Sequence, residues 1–114
     1  GKKLVDESVY KVLGVSPSKQ TSHQEIAQRC VIQMLNEATR CLEEGIIDSV
    51  RDGDIGAIFG IGFPPFLAGP FSYIDKLGVS TVVSLLQGYE KQHGERFTPS
   101  NLLMEMSENN KTFY

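Results

Sequence analysis

The sequence predicts an all-α domain of six or so helices of unequal length. Apolar residues recur at three- and four-residue spacing through most of the 114 residues, and no alternating apolar/polar run is long enough for a strand. Capping serines and threonines, prolines at first-turn positions and closing glycines punctuate the periodic stretches at helix-like intervals. A chain of this length fits one domain, able to bury roughly two thirds of the surface its unfolded form exposes. The expected organisation is a single unit over 1–114, with a short helix and linker over 1–20 and the core over 21–114.

The first helix is expected over residues 4–13, where Leu4, Val5, Val9, Val12 and Leu13 share nearly one face and Gly14 follows as a stop. A polar linker, SPSKQTS, comes next. Ser22 with Glu25 forms a capping-box signature, and apolar residues then repeat from Ile26 through Cys30, Met34, Leu35 and Ala38 to Leu42, ahead of Gly45. This longest helix carries a wide apolar stripe, extended by Ile32, so neighbours are expected on more than one of its sides. A turn-rich bridge over 46–54 leads to a short helix over 52–60. Gly53, Gly56 and Gly60 each weaken it by about 1 kcal/mol against Ala, so packing must hold it. Pro70 opens a helix that Gly78 closes. Ser80 is expected to cap the next, whose Val82, Val83, Leu85, Leu86 and Tyr89 face inward up to Gly94. Thr98 before Pro99 announces the last, over Ser100–Met106, with Leu102, Leu103 and Met106 buried.

Composition excludes several function classes. A net charge of -3 and dispersed lysines leave no basic stripe to neutralise phosphates, so nucleic acid is a poor partner. No run reaches the 18 or more apolar residues of a membrane helix, and no apolar signal-peptide core follows Lys2 and Lys3, so the expectation is a cytoplasmic protein. Cys30 and Cys41, on one helix, would stand on the order of 16 Å apart along its axis. That is too far for a disulfide, and buried, reduced cysteines are expected. With no His or Cys at close ligand spacing, no metal site is expected either.

The most informative stretch runs from Gly56 to Gly78. There Gly60, Gly62 and Gly69 alternate with Pro64, Pro65 and Pro70 among Ile58, Phe59, Ile61, Phe63, Phe66, Leu67 and Phe71. Glycine frees the backbone while proline fixes φ, so the path is bent and then held. Such a segment suits either a close approach between helices or the wall of a ligand site. Gly60 and Gly62 do not continue into a dinucleotide fingerprint, because Pro65 stands where the third glycine belongs and no strand precedes them. Asp52 and Asp54 do not continue into a calcium loop, since Gly56 and Phe63 occupy later ligand positions. Their expected role is helix-start capping. His23 and His93 read as surface histidines without an orienting partner. Asn36, a poor helix former in the middle of the long helix, is either exposed or ties that helix to the glycine-rich turn.

In combination, LNEA at 35–38, the DGD-x-G turn at 52–56, GIGFP at 60–64 and GPFSYID at 69–75 resemble the C-terminal domain of 3-hydroxyacyl-CoA dehydrogenases, a helical fold shared with 6-phosphogluconate dehydrogenases. The likeness runs from about Leu4 to Tyr114 and is greatest to the second of two helical repeats that end the α subunit of fatty acid oxidation complexes. It implies a parent enzyme of fatty acid β-oxidation that joins enoyl-CoA hydratase to NAD-dependent 3-hydroxyacyl-CoA dehydrogenase activity. Acyl-CoA would be the substrate, NAD the cofactor, and the partners the first helical repeat, the NAD domain and a thiolase β subunit. Gly1, where a Met would open an intact reading frame, agrees with an excised piece.

The resemblance also implies that this piece is inactive. The family's catalytic His precedes two phenylalanines in an upstream segment, and neither His23 nor His93 precedes a Phe. Where the active repeat has Asn-Arg, this chain has Gln28 and Arg29; Ala68 replaces a usual Gly and Ser72 a common Arg. No catalytic residue and no bound NAD are therefore expected here. The expected role is support of a substrate site by Gly60, Gly62, Phe63, Pro64, Gly69, Pro70 and Phe71, with Asn36 as a helix tie. A tunnel lined by Phe63, Phe66 and Phe71 is a further expectation for acyl-CoA. The alternative is a self-standing helical interaction module whose apolar turn makes a homodimer.

Overall fold

The structure, a computed structural model, describes residues 3–17 and 19–114. Gly1, Lys2 and, within the expected linker, Ser18 lie outside the described residues. Six α-helices occur among the described residues, and no strand: α1 (Ser8–Leu13), α2 (His23–Glu43), α3 (Val50–Ile61), α4 (Pro70–Leu77), α5 (Val79–His93) and α6 (Asn101–Glu108). Short 3-10 turns at Pro65–Leu67 and Glu95–Phe97 lead into α4 and towards α6.

Helix α2 is the spine. Ser22 caps it, its Oγ accepting the Glu25 N–H at 3.2 Å. The face bearing Ile32, Leu35, Asn36 and Thr39 is buried against α4, α5 and α6. Leu35 and Ile32 meet Ile74, Val82, Leu86 and Leu103 there to form the core. The rest of the stripe departs from expectation: Ile26, Cys30, Val31 and Met34 are exposed, and Ala38 and Cys41 only half-buried. Among the described residues α2 packs along one side on α4, α5 and α6 and touches α3 at an edge. Both cysteines are free as expected, but neither is a core residue.

Helix α1 starts at Ser8 rather than Leu4, because the Asp6 carboxylate accepts the Ser8 N–H at 3.0 Å and turns the chain there. Hydrogen bonding from Ser8 also holds the Asp6 carboxyl below its ordinary value. The helix ends, as expected, at a left-handed Gly14 (φ 64°), yet none of its residues is buried. Helix α3 begins earlier than residue 52, since Ser49 accepts the Asp52 N–H and donates its hydroxyl to the Asp52 carboxylate at 2.7 Å. Helix α5 likewise begins at Val79. Gly78 (φ 91°) makes the turn and its carbonyl accepts the Val82 N–H, so Ser80 is no cap; its hydroxyl receives that of Ser107 on α6. In α6, Ser100 caps by accepting the Leu103 N–H, and Leu103 and Met106 are buried while Leu102 is half-buried.

Candidate functional site

The turn between α3 and α4 is organised by one buried carboxylate. Helix α4 starts at Gly69-Pro70 and has no capping side chain of its own. Its free N–H groups are met from α3: Asp54 Oδ1 accepts the Phe71 N–H at 2.7 Å, and Oδ2 accepts the Ser72 N–H at 3.1 Å and the Ser72 hydroxyl at 2.7 Å. A negative charge at a helix start is stabilised by the dipole and by these charge-assisted bonds. The capping role expected of Asp54 thus holds, but for the following helix, seventeen residues away. A fourth donor arrives from the chain's far end, where the Tyr114 hydroxyl reaches Oδ2 at 2.9 Å. Burial, and then the bond to Asp54, pushes the Tyr114 phenol up from its ordinary value. The segment before it is held by Asp75, which accepts the N–H groups of Phe113 and Tyr114, while the Phe113 ring packs edge-on against Phe71 at 5.0 Å.

The glycines and prolines of the turn divide into two groups. Gly69, Pro70 and Phe71 are buried beside Asp54. Gly69 has φ 106°, and an added Cβ would stand 2.5 Å from Asp54 Oδ1. Gly53, one turn into α3, lets that helix approach Phe71, whose Cε2 would lie 2.5 Å from an added Cβ. These positions are a packing device. Gly60 and Gly62 are exposed with open space around them, Gly62 closing α3 at φ 73°. Pro64 is half-buried, and Phe63 is a core residue set edge-on to Tyr73 at 6.5 Å. Phe66 is 84% exposed, so Phe63, Phe66 and Phe71 line no common tunnel. Ala68 adopts φ 64°, the left-handed region that favours glycine, which is a physical reason for the glycine the resemblance leads one to expect there.

On the opposite side of α2 from the core, α2, α3 and the start of α4 enclose an apolar groove of about 300 Å³. Met34, Ala38 and Cys41 form one wall, Gly56, Ala57 and Ile61 the other. Of its walls Ile61 is exposed, and elsewhere on α3 Phe59 is 86% exposed and Ile55 is exposed too.

Asn36 is completely buried and is a tie, but not to the glycine-rich turn. Its Nδ2 donates to the Thr98 carbonyl and its Oδ1 accepts the Ser100 N–H, both at 2.9 Å, fastening α2 to the start of α6. Thr39 bonds the Ser100 hydroxyl, and Arg40 donates to the same Thr98 carbonyl. Gln28 is also engaged, its Oε1 accepting the Tyr89 hydroxyl at 2.5 Å. Burial raises the Tyr89 phenol, the Glu25 charge adds to this, and Arg29 opposes it. His23 is exposed as expected; His93 is half-buried, its ring grouped with those of Tyr89 and Phe97 at 6.1 and 5.8 Å. Asp54, Asp75 and Tyr114 are the organising residues that sequence reasoning did not bring together. The available signal was the Gly-Pro start of α4, which lacks a local acceptor.

Comparison with known proteins agrees with this fold. The family described as "3-hydroxyacyl-CoA dehydrogenase, C-terminal domain" matches residues 26–112. The chain is 64% identical to the fatty acid oxidation complex subunit alpha of Shewanella amazonensis over 112 residues, and 62% identical to that of Shewanella frigidimarina. Each match takes in 98% of this chain and 16% of the relative, so the chain spans about a sixth of those proteins. The crystal structure of M. tuberculosis FadB2 shares the fold, with a TM-score of 0.71 at 24% identity, over 95% of this chain and 40% of that one. The chain belongs to the 3-hydroxyacyl-CoA dehydrogenase C-terminal domain family.

Proposed function

We propose that this chain is a structural helical repeat of a multifunctional fatty acid β-oxidation subunit, and that it buttresses an acyl-CoA site whose chemistry lies in other parts of the subunit. The observation that carries the reading is the outward apolar face that α2 and α3 turn to the groove, with Met34 and Ile61 exposed in its walls. Such a face is stable in water only at a cost, and a neighbouring helical repeat of the same subunit would cover it. The Asp54-capped turn holds α3 and α4 in fixed relation beneath that face. Gly60, Gly62, Phe63, Pro64, Gly69, Pro70 and Phe71 then act as support rather than as contacts to substrate.

Inactivity of the isolated chain fits the same reading. Gln28 stands where the resemblance places an Asn of the active repeat, and its side-chain oxygen is taken by Tyr89. In the intact subunit NAD and acyl-CoA would bind elsewhere, hydratase activity would belong to a further domain, and a thiolase β subunit would complete a cytoplasmic complex. Among the described residues no helix is long and apolar enough to cross a membrane. The second reading, a self-standing helical module that dimerises through the same face, is favoured by that face alone.

The substitution Met34→Asp separates them. Because Met34 is exposed, the isolated chain should keep its stability within about 0.5 kcal/mol. The intact subunit should lose dehydrogenase turnover with NAD and a 3-hydroxyacyl-CoA. Unchanged turnover in the intact subunit would refute the buttress, and turnover by the isolated chain near the intact rate would refute its inactivity.

A further inference from the structure

The segment that follows α6 is tied to both α4 and α3. Helix α6 closes with the Lys111 N–H on the Met106 carbonyl at 2.9 Å, and Asn110 adopts φ 51°, a left-handed turn that asparagine tolerates. Asp75 on α4 then accepts the Phe113 and Tyr114 N–H groups, and the Tyr114 hydroxyl bonds Asp54 on α3. Beside these ties the Phe113 ring packs edge-on against Phe71 at 5.0 Å. Phe71 has another side. With Gly53 it lines the α2–α3 groove while shielded from water, and Gly53 sits so close that an added Cβ would stand 2.5 Å from its ring. We propose that residues 111–114 are a latch on this groove. Docked, the segment holds Phe71 in the groove lining through Phe113; lifted, it frees Phe71 to swing into the space that Phe113 leaves, and the groove deepens beside Cys41.

The latch can open without unfolding the helices it joins. Asp54 keeps the Phe71 N–H and both Ser72 donors when Tyr114 leaves, so the start of α4 stays capped. Tyr114 is 65% exposed and Asp75 half-buried, so the hydroxyl, the carboxylate and the two N–H groups exchange their bonds for bonds to water at little net cost. The one apolar anchor given up is the half-buried Phe113 ring, at the edge of the core. A segment held by one such anchor and by exposed hydrogen bonds belongs to the low-stability end of local opening. Phe71, once it loses packing on that side, turns to refill the space, because a void forfeits the dispersion contacts of its lining. The latch acts on the groove that the buttress reading gives to a neighbouring repeat, and under that reading it sets how deeply the repeat seats. Its own test needs only the isolated chain, whereas the buttress is tested on turnover of the intact subunit.

The test follows the Cys41 thiol, which lines the groove and is the only thiol of the 114-residue chain once Cys30→Ser is made. Its reaction with Ellman's reagent is timed in that background, and stability is measured alongside by urea denaturation. Phe113→Ala removes the contact with Phe71. Asp75→Ala instead removes the acceptor of the two N–H groups at a half-buried position, and serves as the second variant should Phe113→Ala fail to fold. Either should raise the Cys41 rate about five-fold through a local opening. Val83→Ala is the control: it weakens the core from α5, which among the described residues contributes nothing to the groove lining, and should leave the rate within about two-fold. An equal rise in Val83→Ala would show general loosening. An unchanged rate in a folded latch variant would show that Phe71 keeps its place without the segment, and a slower rate that Phe71 closes over the thiol. Each of these overturns the latch.

Discussion

Gly69→Ala tests whether the turn is a packing device or a tolerant loop. At φ 106° and ψ 169°, Gly69 occupies a region that is open to glycine and costs other residues about 1–3 kcal/mol. The new methyl would also stand 2.5 Å from Asp54 Oδ1, so the carboxylate must leave its place between the Phe71 and Ser72 N–H groups. Hydrogen bonds to a charged group contribute about 1.5–3 kcal/mol. The two effects together predict a loss of about 4 kcal/mol, a large part of the 5–15 kcal/mol typical of a whole domain. Urea denaturation followed by far-ultraviolet circular dichroism measures it. Gly60→Ala is the internal control: it sits in α3 with nothing within 4 Å, and should raise stability by about 0.5–1 kcal/mol. Asp54→Ala combined with Gly69→Ala should cost less than the sum of the two, since the contacts with Cγ and Oδ1 vanish with the carboxylate and only that with Cβ remains. A Gly69→Ala loss under about 1 kcal/mol, or strict additivity in the double variant, would refute the role given to Asp54.

Two further outcomes follow from the same geometry. Asn36→Ala leaves the buried Ser100 N–H without its acceptor and should cost roughly 2–4 kcal/mol in urea denaturation, whereas an exposed Asn would lose almost nothing. The Tyr114 phenol is raised in the folded chain, so its bond to Asp54 contributes fully below the ordinary tyrosine value and is lost as pH rises through the folded value. Melting temperatures of the native chain and Tyr114→Phe should therefore differ at neutral pH and converge at strongly alkaline pH. A difference that stays constant across that range would remove Tyr114 from the Asp54 cluster. The effect is small, because Tyr114 is largely exposed.

Local chemistry was readable along the chain where the partner of each signal is near in sequence. Ser22 and Ser100 cap the helices they precede, and Gly14 ends α1. The start of α3 has a local signal too: Ser49 stands three residues before Asp52 and caps the helix by accepting its N–H. Asn36 shows the opposite case. Its helix-breaking character announces a long-range bond, but the partners Thr98 and Ser100 lie more than sixty residues on, and no local pattern selects them over the glycine-rich turn.

Periodicity has a similar limit on α2. It reports which residues are apolar, and Cys30, Val31, Met34 and Cys41 satisfy it as well as Ile32 and Leu35 do. Whether a stripe is buried depends on the neighbours present, and here α4, α5 and α6 all pack on one side. An apolar stripe too wide for its own domain is therefore information about what lies beyond it. The same reasoning applies to Asp54. A Gly-Pro helix start with no acceptor of its own leaves N–H groups that must be met when buried, so the sequence of α4 alone demands a partner from elsewhere. The demand was visible; the carboxylate that answers it became identifiable only when α3 was set beside α4 through Gly53 and Gly69. Glycine at those two positions and aspartate at 54 are thus one feature of the fold, and a change at any of them should be felt at the others.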